Sequence, residues 1–167
     1  MDAQTRAWMD QWDAMVTEKV RRFGWFIQYV DSGECSVPWC TAEESDEPAF
    51  AYTVGLFGLD HPELLIFGVS PQVAVGVLND LGERIRDGEN LIPGRLITFD
   101  VWPHRVIPEV VPNPGEIVLE ANRFYRRPDE ASVPVLQLSY DDAQGRFPWE
   151  EGFSHPEMQP RPGTFRT

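Results

Sequence analysis

Only two cysteines occur in 167 residues, Cys35 and Cys40. That is too few for a disulfide framework, and no second Cys or His pair stands nearby to complete a structural zinc site. They read as free thiols in a reducing compartment. Cys35 is also a poor nucleophile, because the acidic residues around it work against the thiolate. Basic residues are scarce as well: 14 Lys and Arg against 27 Asp and Glu give a net charge of −13 and a pI near 4.5. Such a balance repels phosphate backbones and excludes nucleic acid as an expected partner. No run approaches the ~20 apolar residues of a membrane span, so no membrane partner is expected. The first residues include Asp2 and Asp10 and carry no basic start followed by an apolar stretch, so no secretory signal is visible. Together these features predict a cytoplasmic protein. No GxSxG, P-loop, GxGxxG or HExxH pattern is present. These patterns leave the cofactor unknown and name no reaction.

What is abundant is apolar and aromatic. A hydrophobic fraction of 42% with six Trp and ten Phe argues against disorder, and the length suits one domain with a continuous core. Residues 5–22 place Trp8, Trp12, Met15, Val16, Val20 and Phe23 on one helical face, and Gly24 ends the helix. Trp25 to Val30 reads as a buried strand. Residues 31–50 hold Glu34, Glu43, Glu44, Asp46 and Glu47 with Pro38 and Pro48, and form an acidic surface loop.

Ala51 to Leu56 is the next strand. A glycine-containing turn follows, and then His61 to Val69, the most apolar run of the chain. Ser70-Pro71 starts a helix that stops at Gly88. Gly76 and Gly82 inside it each cost about 1 kcal/mol relative to alanine, which marks either close approach by a neighbour or simple tolerance. Arg95 to Trp102 reads as a strand, Val106 to Val111 as an edge strand bearing Pro108, residues 116–125 as a short helix, and Val133 to Tyr140 as a strand. Residues 154–167 form a proline-rich tail. The fold class expected is α+β: a single domain with a mixed, largely antiparallel sheet and two or three packed helices.

Several of these blocks taken together resemble the bacterial domain-of-unknown-function 4262 family: Phe23-Gly-Trp25, Tyr52-Thr-Val-Gly-Leu56, His61-Pro-Glu-Leu64, Leu78-Asn79, Gln137-Leu138 and Gly145-Arg-Phe-Pro-Trp149. The likeness runs from about residue 10 to 153. It implies a bacterial cytoplasmic protein of this fold and supplies no activity. Members of that family often carry a Cys-rich segment before the first helix, which this sequence lacks, so no thiol or metal role is carried over.

Four groups of residues are candidates for chemistry. His61 and Glu63 flank Pro62, and an extended backbone would set both side chains on one side, as general base and carboxylate, or else as a turn histidine bonded to local backbone. The same tripeptide recurs as His155-Pro-Glu157. By ligand type the two copies would suit a divalent metal if the tail folded back, but a proline-rich tail argues against that return, and no metal is assigned. Tyr52, Thr53 and Gly55 stand where a strand meets a glycine, which lets a ligand or another backbone come close. Arg146 and Trp149 form a clamp for a carboxylate, a phosphate or a flat ring; the duller alternative pairs Arg146 with Asp141 or Asp142 and uses Trp149 to pin the tail.

The preferred expectation is a small-ligand domain, compatible with enzymatic activity, whose pocket unites the Tyr52–Leu56 strand end, the His61 turn and Arg146–Trp149. The alternative is a non-enzymatic acidic protein that binds or neutralises a basic protein partner.

Overall fold

A computed structural model describes residues 2–31 and 47–166 of the chain. Cys35, Cys40 and most of the acidic loop expected at 31–50 lie outside the described residues. Helix α1 (Ala3–Phe23) is capped by Asp2, whose carboxylate accepts from Thr5 N–H, and ends at Gly24 with φ 99°. Strands β1 (Phe26–Val30), β2 (Phe50–Val54) and β3 (Glu63–Phe67) follow as an antiparallel meander. Helix α2 (Pro71–Arg86) starts where Ser70 Oγ accepts from Val73 N–H and proline supplies a first-turn residue that needs no donor. Then come β4 (Val106–Val110), the short α3 (Leu119–Phe124) and β5 (Val135–Tyr140).

The sheet order is β1-β2-β3-β5-β4. All pairings are antiparallel except β3 with β5. This is the expected α+β arrangement, and β4 with its Pro108 is an edge strand, where a missing N–H costs least.

The period of two in the strands sorts the core into two layers. Ala51, Leu64, Ile66, Leu136 and Leu138 pack under Leu78 and Leu81 of α2. Phe50, Tyr52, Leu65 and Phe67 face the other way, against Val16 of α1 and Ala121 of α3. β2 and β3 are buried along their whole length, as central strands covered on both faces should be. Among the described residues no helix is long and apolar enough to cross a membrane.

Three expectations change. Arg95 to Trp102 is not a strand: it makes one isolated bridge, Ile97 to Val106, while Leu96 and Val101 are exposed. Pro93 and Pro103 bracket it, and Phe99 and Trp102 turn toward the α2 layer instead of extending a sheet. The face expected on α1 is only lightly covered, since Val16 alone is buried and Trp8 and Phe23 are exposed. The tail joins the layer of α1 and α3: Phe165 is buried, with its ring 4.9 Å from Phe67 and 5.3 Å from Phe50.

The two helix glycines separate. A Cβ on Gly82 would fall 2.6 Å from the Trp25 indole, so close approach explains it, whereas a Cβ on Gly76 would meet nothing within 4 Å. Gly76→Ala is therefore expected to raise the unfolding free energy by about 1 kcal/mol through helix propensity alone, and Gly82→Ala to lower it. Urea melts of the two variants check this.

Candidate functional site

The parallel pairing of β3 with β5 decides what can meet. Glu63 lies beside Val135, at the entry ends of both strands. Residues 141–149 follow Tyr140, five residue steps of about 3.3 Å further on, roughly 16 Å away. The chain thus leaves the sheet at the end opposite the His61 turn: Arg146 stays there, bonded to Asp142, while Trp149 comes back alongside β4 with Pro108, Glu109 and Val110, and neither hollow beside this segment is lined by His61. The two His-Pro-Glu tripeptides are separated in the same way. A Cβ on Gly68, just past the exit of β3, would touch Met158, which places the second tripeptide at the exit end. Among the described residues no group of three or more His, Cys, Asp or Glu could hold a metal.

At the entry end the candidate residues bond inward. The Glu63 carboxylate is fully buried and accepts from Thr53 Oγ1 at 2.8 Å, Gly55 N at 2.9 Å, Leu56 N at 2.9 Å and Phe57 N at 3.3 Å. Burial pushes its pKa up to about 7, against the downward pull of those four donors. Thr53 Oγ1 in turn accepts from Leu64 N–H, and the Tyr125 hydroxyl accepts from Gly58 N–H. The carboxylate thus serves as acceptor for the start of a 3-10 turn that has no side-chain cap of its own.

Gly55 sits at φ 135°, and a Cβ there would lie 2.5 Å from Gly24 O. It makes room for backbone. The Tyr52 hydroxyl accepts from Glu120 N–H, and burial raises its pKa.

His61 does not share a side with Glu63. β3 begins only at Glu63, so the alternation does not extend back through the Asp60–Pro62 bend. The His61 ring turns to the α2 layer, where Nε2 accepts from Leu91 N–H at 3.1 Å and Nδ1 lies 2.8 Å from Pro62 O. An acceptor at Nε2 and a carbonyl at Nδ1 together require the neutral Nδ1–H tautomer. Burial lowers the His61 pKa, partly opposed by the Pro62 carbonyl.

At the exit end, Arg146 bonds locally: its N–H donates to Asp142 Oδ1 and its guanidinium reaches Gly152 O. Trp149 stacks on Phe147 at 5.0 Å and has the Arg161 guanidinium at 5.1 Å, and it stays 45% exposed. Arg105 covers Phe147 in the same way at 5.2 Å. The guanidinium at the indole is thus that of Arg161, which also binds Glu109 through two bonds of 2.6 and 2.8 Å and ties the tail to β4. The clamp closes on itself.

A cleft of about 660 Å³, a size suited to a small molecule, lies between residues 140–144 and 153–159. It opens just outside the carboxyl ends of β3 and β5, the position where open sheets with parallel strands place ligands. Antiparallel pairing of Val106 with Tyr140 brings the residues before β4 alongside those after β5. His104 thereby meets Asp141: its Nδ1 lies 2.7 Å from Asp141 O and 3.2 Å from Asp141 Oδ1. Asp141 is buried and held further by Arg105 N at 3.0 Å and Arg105 Nε at 2.7 Å.

Trp102 and Tyr140 pack on the His104 ring at 4.9 and 5.7 Å, and the Tyr140 hydroxyl donates to Phe67 O at 2.8 Å. Among the described residues His104 Nε2 has no hydrogen bond. An imidazole with one nitrogen fixed by a carboxylate and a carbonyl can offer the other as donor, acceptor or proton carrier. Ser154, His155 and Glu157 line the cleft as well, with His155 in the left-handed region at φ 57°. A second, shallower hollow of about 680 Å³ lies by Pro108 and Trp149, but its ionic groups, Glu109 and Arg161, already bind each other.

Sequence reasoning missed His104 and Asp141. The signal available was positional: a titratable residue just before one strand and another just after a second strand meet when the two strands pair antiparallel.

Comparison with curated proteins and with solved structures returns no match for this chain. Residues 19–154 match the family described as a domain of unknown function, DUF4262. That span includes the Glu63 cradle, the β4–β5 pair and the His104–Asp141 contact, so the chain belongs to the DUF4262 family.

Proposed function

We propose that the protein binds a small molecule in the cleft at the exit ends of β3 and β5, with His104 as its principal polar contact. The observation that carries this reading is the His104–Asp141 pair: a buried carboxylate orients an imidazole at the wall of the cleft, and Nε2 is left for a ligand. In this reading His61, Glu63, Tyr52, Thr53 and Gly55 hold the entry end of the sheet together, Arg146 braces the turn that carries Asp142, and Trp149 packs with Phe147 and Arg161 beside β4. His104 is also the group that would move a proton if the bound molecule is turned over.

A fragment screen by 1H–15N correlation NMR tests the assignment. Hits are expected to shift the amides of Gly68, His104, Tyr140 to Gln144 and Ser154 to Gln159. His104→Ala is expected to weaken them about tenfold, the loss of one hydrogen bond in a desolvated site. Shifts confined to the entry end, or affinities indifferent to His104→Ala, overturn the proposal.

A second reading, an acidic protein that binds a basic partner, draws on the net charge of −13. Pull-down from the native host at low and high salt tests it. Recovery of no basic protein under either condition removes it.

A further inference from the structure

We propose that the ligand of this cleft is an organic cation, an ammonium group carried on an aromatic or aliphatic body. The inference rests on the cleft being the binding site and adds the chemistry of what binds there.

The permanent charges lining the cleft are of one sign, and its two imidazoles, His104 and His155, each lie against a carboxylate, Asp141 and Glu157. Asp142 and Glu157 line it, and among the described residues no arginine or lysine does. Asp141 at the back is already joined to Arg105. Asp142 is different: its carboxylate is satisfied by uncharged N–H groups, Gln144 N and Arg146 N on Oδ1 and Ser154 N on Oδ2, each at 2.9 Å. Partial desolvation works against ionisation, but these donors, led by Ser154, hold the Asp142 pKa down to about 2. A carboxylate held by neutral donors keeps its full charge toward the cleft. Glu157 is exposed, and its bond from His155 is a long 3.3 Å.

The walls suit the same class of ligand. Tyr140 and Phe153 line the cleft; the Tyr140 ring is already packed against Trp102 and His104 at 5.3 and 5.7 Å, so Phe153 is the ring that remains to meet a ligand. Aromatic faces attract cations through their quadrupole, and the attraction grows where water is excluded. Carboxylates and ring faces together select against an anion and give a neutral body only the apolar contact. The net charge of −13 adds attraction at longer range.

Titrating the protein with benzylammonium, whose N–H groups can donate to His104 Nε2, benzyl alcohol and benzoate tests the proposal, with binding read by calorimetry and by the cleft amide shifts. The cation is expected to bind at least about tenfold tighter than the alcohol, and benzoate not to bind. Glu157→Gln, an exposed change that leaves the core untouched, is expected to weaken the cation about threefold or more and leave the alcohol unchanged.

Tetralysine and its acetylated form distinguish the source. Binding of tetralysine above that of the free ammonium points to a lysine side chain of a basic protein, and the reverse order points to a small metabolite; either supports the cation class. Equal or tighter binding of benzyl alcohol or benzoate overturns the cation class while leaving the cleft as the site. If none of the probes moves a cleft amide, the cation class and the cleft assignment both fall.

Discussion

Replacing Glu63 with glutamine is expected to lower the unfolding free energy by about 2–4 kcal/mol, although the change preserves size and removes a buried charge. Four donors converge on the two carboxylate oxygens. A glutamine offers one carbonyl oxygen, and its NH2 then faces either Leu56 N–H or the Gly55 and Phe57 N–H groups. At least one buried backbone donor loses its acceptor, and Glu63→Ala leaves all of them without one.

The variant carries a pH signature too. Glu63 has a folded-state pKa of about 7 against an unfolded reference of 4.5, so the folded state holds the extra proton between those values. Its contribution to stability is full below about pH 4.5 and is lost as pH rises through about 7. Glu63→Gln removes that slope.

His61 acts in the opposite direction. Its pKa is lowered from 6.5, so its contribution is present above about pH 6.5 and falls as acid protonates Nε2 against Leu91 N–H. Urea melts from pH 4.5 to 8 on the wild type, Glu63→Gln and His61→Gln resolve the two slopes.

The second large effect belongs to Gly55. Gly55→Ala is expected to cost about 3–5 kcal/mol, since it forces an L side chain to φ 135° and drives a Cβ to within 2.5 Å of a backbone oxygen that cannot swing aside. The contrast with Gly76→Ala is the informative part. Both replace a glycine by alanine, one where the backbone conformation and a neighbouring chain forbid it and one where neither does. A thermal shift of opposite sign in the two variants checks the pair; a mild effect at Gly55 would show that the Gly24–Trp25 backbone can retreat.

Local patterns made much of the fold readable. The Ser70-Pro71 start and the spacing from Ala74 to Ile85 specify α2, and the apolar run Leu64, Leu65, Ile66 and Phe67 specifies a strand covered on both faces, as β3 is. Pro108 marked an edge strand, and β4 is one.

What local patterns do not carry is which strands are neighbours and in which direction they run. Val106–Val110 and Val135–Tyr140 were legible as strands, but their antiparallel register is a tertiary fact, and that register creates the His104–Asp141 contact. The parallel pairing of β3 with β5 likewise carries the chain away from the His61 turn before it reaches Arg146. Arg95 to Trp102 has the composition of a strand, yet β4 occupies the end of the sheet and Phe99 and Trp102 find apolar contact at the α2 layer. Aromatic and β-branched content records a preference for burial, which a loop over a helix satisfies as well as a ladder does.

The two ends of the sheet thus have different duties. The entry end spends its polar groups on one another, and the exit end keeps an oriented imidazole facing a hollow. Long-range 1H–15N NMR of the three histidine rings, recorded while the tightest ligand from the screen is added, addresses this division directly. The account predicts that the His104 nitrogens shift with saturation while His61 stays in its neutral Nδ1–H tautomer. Movement of His61 with His104 unchanged would contradict it.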